Sequence, residues 1–450
     1  MNRKQELIEK DLKYVWHPDT QMKEFEHEDP IIIERGEGVY VYDVDGKRYI
    51  DAIASWWVNT LGHSNKRLNK ALCDQAEKIE HVLLAGFSHV PAIELAEELV
   101  NISAPDITKV FYSDNGSTAN EIALKMAIQY WAQVGKPKKT KFVALEHSYH
   151  GDTLGAVSVG GIDIYYKVFE PLLFKALHSK SPNCYRCPEG KCRGNCEIEC
   201  INSVEDIFKA HGDEIAAMIV EPLVQGACGM IMYPPEYLTK LRALCDKYDV
   251  LLIDDEVAMG FGRTGKMFAY EHANITPDIV CLAKGITAGY IPLAATLTTE
   301  KIYNAFYDDY DKYKTFYHGH SFTGNPLATA IAVENLKIFK EEKIIENLQP
   351  KIKFFHEKLQ KLKELKHVGD VRYTGMVAAL EIVKDKETKE TFDSKIRIGK
   401  KIYDEALKLG AILRPIDNIT YFIPPLVITE EQIEELIDIA YNAIKIATEA

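Results

Sequence analysis

The stretch VLLIDDEVAMGFGRTGK, residues 250–266, runs an apolar strand straight into three acids, Asp254, Asp255 and Glu256, and then into a glycine-rich turn. A second stretch, PDIVCLAKGITAGY at 277–290, repeats the plan with an amine, its apolar strand ending at Lys284. Open parallel sheets bind ligands at the carboxyl ends of their strands, so two strands that end in charge mark where a site belongs. Taken singly, such acids cap a turn and such a lysine is solvated. Together they fit a pyridoxal cofactor, which needs an amine to bond its aldehyde and a carboxylate to keep its pyridine nitrogen protonated. Lys284 and Asp255 supply both, and a lysine beside a bound cationic ring titrates lower, which suits it to carry a proton.

Working outward, short β-rich runs alternate with segments of helical period, the pattern of a mostly parallel sheet covered by helices. The predicted strands are 109–113, 141–145, 216–220, 250–254, 278–283 and 294–298, with helices over 120–133 and 235–247. GVYVYDVDGKRYIDA at 38–52 reads as two strands about an Asp-Gly turn. From about Gly324 the chain turns helical, then alternates strand, helix, strand and a last helix from Glu430. The fold class expected is α/β, a large domain over 66–325 flanked by a smaller α+β domain built from 1–65 and 326–450.

A net charge of -13 with no basic block argues against a nucleic-acid partner. No apolar run approaches the ~20 residues that span a bilayer, and the start, MNRKQELIEKDLK, lacks the apolar stretch of a signal peptide. The expected setting is therefore the cytoplasm, away from membranes, with small molecules as substrates.

Further motifs fill in the site. YSDNGSTANEIALKMA at 112–127 follows a strand with Asn-Gly-Ser-Thr at a helix start, where free N–H groups favour an anion, so Gly116 and Ser117 are candidate phosphate residues. HSYHGDT at 147–153 offers Tyr149, whose ring could lie against the pyridine or be a core-edge aromatic.

These motifs resemble the class III (fold type I) pyridoxal-phosphate aminotransferases almost end to end, the hallmark being Asp255 through GFGRTGK to Lys284, with Arg263 between. Within that family the closest likeness is to the branch that aminates 8-amino-7-oxononanoate, carried by WHPDTQM (16–22), SWWVNTLGH (55–63), VEPLVQGACGM (220–230), HGHSFTGNP (318–326), and ILRPI (412–416) followed by YFIPP. The resemblance implies that Lys284, Asp255 and Tyr149 serve catalysis and that Trp56, Trp57 and Tyr149 border the substrate. It further implies that Gly319 lines the substrate site, that Arg414 holds a substrate carboxylate, and that His320 and Ser321 reach the phosphate of a neighbouring subunit in a homodimer with shared sites. Ser321 departs mildly from the threonine frequent there. The amino donor stays open between adenosylmethionine and lysine, because Asp19 stands where the branch usually carries an aromatic; a carboxylate could attract a lysine ammonium, or merely cap the turn at Pro18.

Two other readings remain at this point. One is a class III enzyme acting on ornithine, 4-aminobutyrate or another ω-amino acid. The other is a metal-binding or redox-sensing protein on an inactive enzyme fold, raised by CYRCPEGKCRGNCEIEC, where Cys184, Cys187, Cys192, Cys196 and Cys200 crowd one segment. No metal ligand is assigned to the catalytic site.

Overall fold

The computed structural model describes residues 3–28, 30–191 and 194–449. Its centre is a seven-stranded sheet, in the order 107–113, 294–299, 279–282, 251–255, 215–220, 141–145 and 177–179. Six of these run in one direction, and Ala294–Thr299 alone runs the other way, antiparallel to both its neighbours. The predicted strands recur with ends shifted by one or two residues. The inserted antiparallel strand was not signalled, because AATLTT differs in no residue type from a parallel strand buried on both faces.

Helix Gly116–Gln133 begins four residues before the predicted 120, since Asn115 caps it by accepting the Thr118 N–H at 3.1 Å while Thr118 bonds back to the Asn115 N–H. Its inner face buries Ile122, Met126 and Tyr130, the four-residue spacing expected of an apolar stripe. Helix Pro235–Lys247 starts on proline and ends as predicted.

The hairpin Tyr40–Asp43 with Arg48–Asp51 forms about Gly46 (φ +84°), a conformation open to glycine without steric cost. An antiparallel strand at Ile33–Glu37 precedes it, and Ala411–Ile412, from the far end of the chain, joins it in parallel at Ile50 and Asp51. A further antiparallel sheet of Val368–Thr374, Val377–Ile382 and Ile419–Phe422 lies between helices Ile344–Leu359, Ile398–Leu409 and Glu430–Glu449 in sequence. Among the described residues no helix is long and apolar enough to cross a membrane.

Candidate active site

Asp255 is the last residue of strand Leu251–Asp255 and is buried. Strand alternation puts Asp254 on the opposite face, and there burial pushes the Asp254 and Glu256 carboxyls well up. Asp255 is treated differently. His150 Nδ1 lies 2.7 Å from its Oδ2, Asn120 Nδ2 donates to the same oxygen at 2.8 Å, and the Val257 N–H donates to Oδ1 at 3.1 Å. Three polar partners fix this buried carboxyl group in direction. Through the Val257 N–H the same side chain also caps the turn that follows its strand. Asn120 also donates to the His150 carbonyl at 2.7 Å, tying the helix to the 147–153 loop.

Lys284 follows strand Ile279–Leu282 at φ +48°, a strained value for a residue with a Cβ. Its Nζ lies 4.5 Å from the ring centroid of buried Trp57, and among the described residues no carboxylate pairs with it. Burial lowers its pKa to about 8, against the opposing pull of Asp255 and Glu221. A sizeable neutral fraction at neutral pH makes this amine a nucleophile.

Trp57 is held from behind. Its Nε1 donates to the Tyr421 hydroxyl at 3.3 Å, and buried Arg263 donates to the carbonyls of Trp57, Asn59 and Pro424 at 3.2, 2.7 and 2.7 Å. The chain reaches it through four consecutive residues of positive φ, Ala54 to Trp57, pinned by Asp51, which accepts from the Ser55 N–H and hydroxyl at 2.9 and 2.6 Å. That bend separates two tryptophans that are neighbours in sequence. Trp57 is buried beneath Lys284, while Trp56 is 41% exposed with the Arg414 guanidinium 4.7 Å over its ring.

The phosphate cradle is tight. A Cβ on Gly116 would lie 2.5 Å from Val257, and one on Gly151 would lie 2.2 Å from the Ser117 hydroxyl. Backbone alone therefore fits where the 147–153 loop crosses the helix start, leaving the first-turn N–H groups of Gly116 and Ser117 at the site. Ser117 Oγ bonds Thr153 Oγ1 at 2.9 Å. With Lys284 uncommitted, Asp255 held in a fixed direction and this cradle closed to side chains, the residues present fit pyridoxal phosphate.

Tyr149 stands on the same loop. Its N–H donates to Glu221 at 3.0 Å, its hydroxyl donates to Asp152 at 2.8 Å, and its ring meets Tyr165 edge-on at 5.7 Å. Burial and the Asp152 bond raise its pKa, which keeps the phenol protonated. Asp19, exposed at φ +47°, is close enough for its charge to act on both Tyr149 and Tyr165, and Arg414 acts on Tyr165 with the opposite sign. Gly319 and Ser321 are exposed, and His320 Nδ1 lies 2.7 Å from Asp114 Oδ2, beside the helix start.

Several residues that hold the candidate site in place escaped the sequence reading: His150, Asn120, Tyr421, Tyr165 and Glu221, whose buried carboxyl is pushed up to about 7 and bonds the N–H groups of Tyr149 and Gly226. Only Asn120 left a usable signal, one helical turn after Gly116. Of the five clustered cysteines, Cys192 lies outside the described residues; among those described, no group of three ligands stands poised to hold a metal ion.

The profile of the class III aminotransferases matches residues 22–444. The chain is 50% identical over 435 residues to the adenosylmethionine-8-amino-7-oxononanoate aminotransferase of Geobacter sulfurreducens, covering 96% of each. The crystal structure of the enzyme of that name from Methanocaldococcus jannaschii superposes with a TM-score of 0.94 at 47% identity, covering 98% of this chain and 99% of that one. The omega transaminase of Pseudomonas jessenii, solved in complex with PMP, gives 0.94 at 36% identity, with 98% of each chain covered. The chain belongs to the class III aminotransferases, fold type I enzymes that depend on pyridoxal phosphate.

Proposed function

We propose that this aminotransferase moves an amino group onto 8-amino-7-oxononanoate to give 7,8-diaminononanoate for biotin synthesis, with adenosylmethionine as donor and lysine as its rival. The observation that carries the reading is the join between a general aminotransferase floor and an acceptor wall in which Arg414 lies over Trp56. The guanidinium offers a planar fork to a carboxylate, and the indole offers apolar surface to a long carbon chain. Relatives 50% and 47% identical over nearly the whole chain bear that activity in their names, while the omega transaminase match stands at 36%.

When bound, pyridoxal phosphate supplies an electron sink that makes a proton beside the amine labile. Asp255, fixed by His150 and Asn120, keeps a proton on the ring nitrogen. Lys284 Nζ takes and returns the substrate proton, its pKa near 8 placing both protonation states within reach at neutral pH. Gly116 and Ser117 bind the phosphate, and Tyr149 and Trp56 border the substrate. Gly319, His320 and Ser321 complete the site of a second copy in a homodimer. In support, Leu83, Phe87, Val90, Ile93 and Phe322 are all more than half exposed, an apolar surface that a partner would cover.

The test is amino transfer to 8-amino-7-oxononanoate against transfer to 2-oxoglutarate, with products identified by mass spectrometry for each donor. Preference for 2-oxoglutarate would replace this reading with that of a general ω-aminotransferase. A monomer by light scattering, at full activity, would remove the shared-site role of the 319–321 loop.

A further inference from the structure

The run Ala54–Trp57 holds φ values of +47°, +53°, +93° and +70° in succession, and none of its residues is glycine. L-residues avoid this region because Cβ crowds the following carbonyl, so such a run persists only where its surroundings over-determine it. Local bonds supply part of the hold: the Ile53 carbonyl accepts the N–H groups of Trp56 and Trp57 at 3.2 and 2.8 Å, and the Ala54 carbonyl accepts those of Val58 and Asn59 at 3.0 and 3.1 Å. Arg263 fixes the exit through the Trp57 and Asn59 carbonyls. The entrance depends on Asp51.

Asp51 is buried at the end of strand Arg48–Asp51. Its Oδ1 accepts the Ser55 N–H at 2.9 Å, and its Oδ2 accepts the Ser55 hydroxyl at 2.6 Å and lies 2.9 Å from His63 Nε2. Burial alone would raise this carboxyl, yet the bonds from His63 and Ser55 outweigh it and hold it below the usual carboxylate range. His63 is itself fixed to the strand region before it: its N–H and carbonyl pair with Gly38 at 2.7 and 3.1 Å, and a Cβ on Gly36 would lie 2.7 Å from its own. One carboxyl group therefore ties the left-handed run to the N-terminal sheet. The run in turn touches the turn that follows Lys284, where a Cβ on Gly289 would lie 2.9 Å from the Val58 side chain and 3.1 Å from its carbonyl carbon.

We propose that Asp51 is a positioning residue for amino transfer, which through Ser55 and His63 holds the left-handed run so that Trp57 lies beneath Lys284 and Trp56 beneath Arg414 together. Both rings hang from one short stretch of backbone, so relaxing that stretch displaces both. Water then reaches the Lys284 amine, and the Arg414 guanidinium loses the indole it lies over. The inference rests on the roles given above to Lys284 and Arg414, and its first two measurements need no substrate.

The test compares the full-length wild type with Asp51→Asn and with the double variant Asp51→Asn/Ser55→Gly, each with and without cofactor. In the cofactor-free Asp51→Asn chain, the near-ultraviolet circular dichroism of tryptophan should change while the far-ultraviolet spectrum is kept. Acetic anhydride labelling of Lys284 across pH should place its midpoint above the wild-type value of about 8, toward the ordinary 10.5. In the loaded enzyme kcat should fall and acceptor KM should rise, each about tenfold. The double variant should recover part of every change, because glycine takes a left-handed φ without the strain that the clamp opposes. A residue that only stabilises the fold would give no such recovery. If Asp51→Asn fails to fold, Ser55→Ala, which removes one bond of the clamp, is measured in its place and should show the same changes at smaller size. A folded variant with unaltered tryptophan signal and Lys284 midpoint, a change in kcat or KM alone, or a double variant no better than the single one would each overturn the proposal. If the wild type rejects 8-amino-7-oxononanoate, the acceptor assignment falls, and the clamp still stands or falls on the tryptophan spectrum and the Lys284 midpoint.

Discussion

The floor of the active site and its outer wall are built on opposite plans. On the floor, Asp255, His150, Asn120 and Trp57 are buried and each is held by hydrogen bonds, with Asp255 at a strand end and Asn120 in the first turns of a long helix. On the wall, Asp19, Trp56, Gly319 and Ser321 are exposed and sit on loops. Chemistry common to the whole family needs fixed directions, so it is placed where packing over-determines every side chain. Selection among substrates needs only a changed surface, and it is placed where a substitution costs the fold little.

The most severe way to test the contrast is on the floor. Lys284→Ala should lower turnover about ten-thousand-fold or more while the protein stays folded by circular dichroism; wild-type turnover would end the assignment. One step outward, His150→Ala removes a partner of a buried carboxylate, a loss of ~1–3 kcal/mol. It should appear as a drop of about tenfold to a hundredfold in kcat, with KM for the acceptor little moved. If KM alone rises, His150 belongs to the wall.

On the wall the sign of the split reverses. Arg414→Met should raise KM for the carboxylate-bearing acceptor about tenfold to a hundredfold and leave kcat within a few-fold, as expected for loss of a charge-assisted bond made equally before and during reaction. The smallest effect is expected at Asp19. Asp19→Tyr restores an aromatic face worth ~0.5–2 kcal/mol to a sulfonium or adenine, and should shift the ratio of kcat/KM toward adenosylmethionine over lysine by about twofold to thirtyfold. An unchanged ratio leaves Asp19 as a turn residue.

A pH experiment separates the two regions without a substrate. Burial lowers Lys284 to about 8 from the ordinary 10.5, so between these values the unfolded chain holds a proton that the folded chain has shed. Stability of the cofactor-free chain should therefore rise as pH climbs from about 8 toward 10.5, and the cost of burying the ammonium is felt in full below that window. Urea unfolding should show this slope in the wild type and a flatter one in Lys284→Met.

Much of the floor was legible because a strand written in apolar residues has to end somewhere, and Asp255 and Lys284 announce the ends. His150 was not, since its partner is 105 residues away and nothing in HSYHGDT distinguishes the histidine that points inward from His147, which is exposed. The separation of Trp56 from Trp57 was not legible, for a local reason. Adjacent residues share a surface only if the backbone is regular, and a run of positive φ is invisible in a sequence that places no glycine there. On the wall, types of residue could be read but not their distances, because loop geometry is set by tertiary contacts such as those of Arg263 with three carbonyls.

One pairing in the fold has a bearing on how the protein is made. The strand Ala411–Ile412 completes the sheet begun at Arg48–Asp51, and the Pro424 carbonyl takes one of the bonds of Arg263. On a ribosome the chain emerges at about 5–20 residues per second, so the hairpin waits for many seconds with one edge bare before its closing strand exists. Nascent chains stalled short of residue 411 would therefore be unable to finish the floor beneath Lys284 and would expose a strand edge to chaperones or to other chains. Synthesis has to pass residue 424 before the enzyme can hold its cofactor in place.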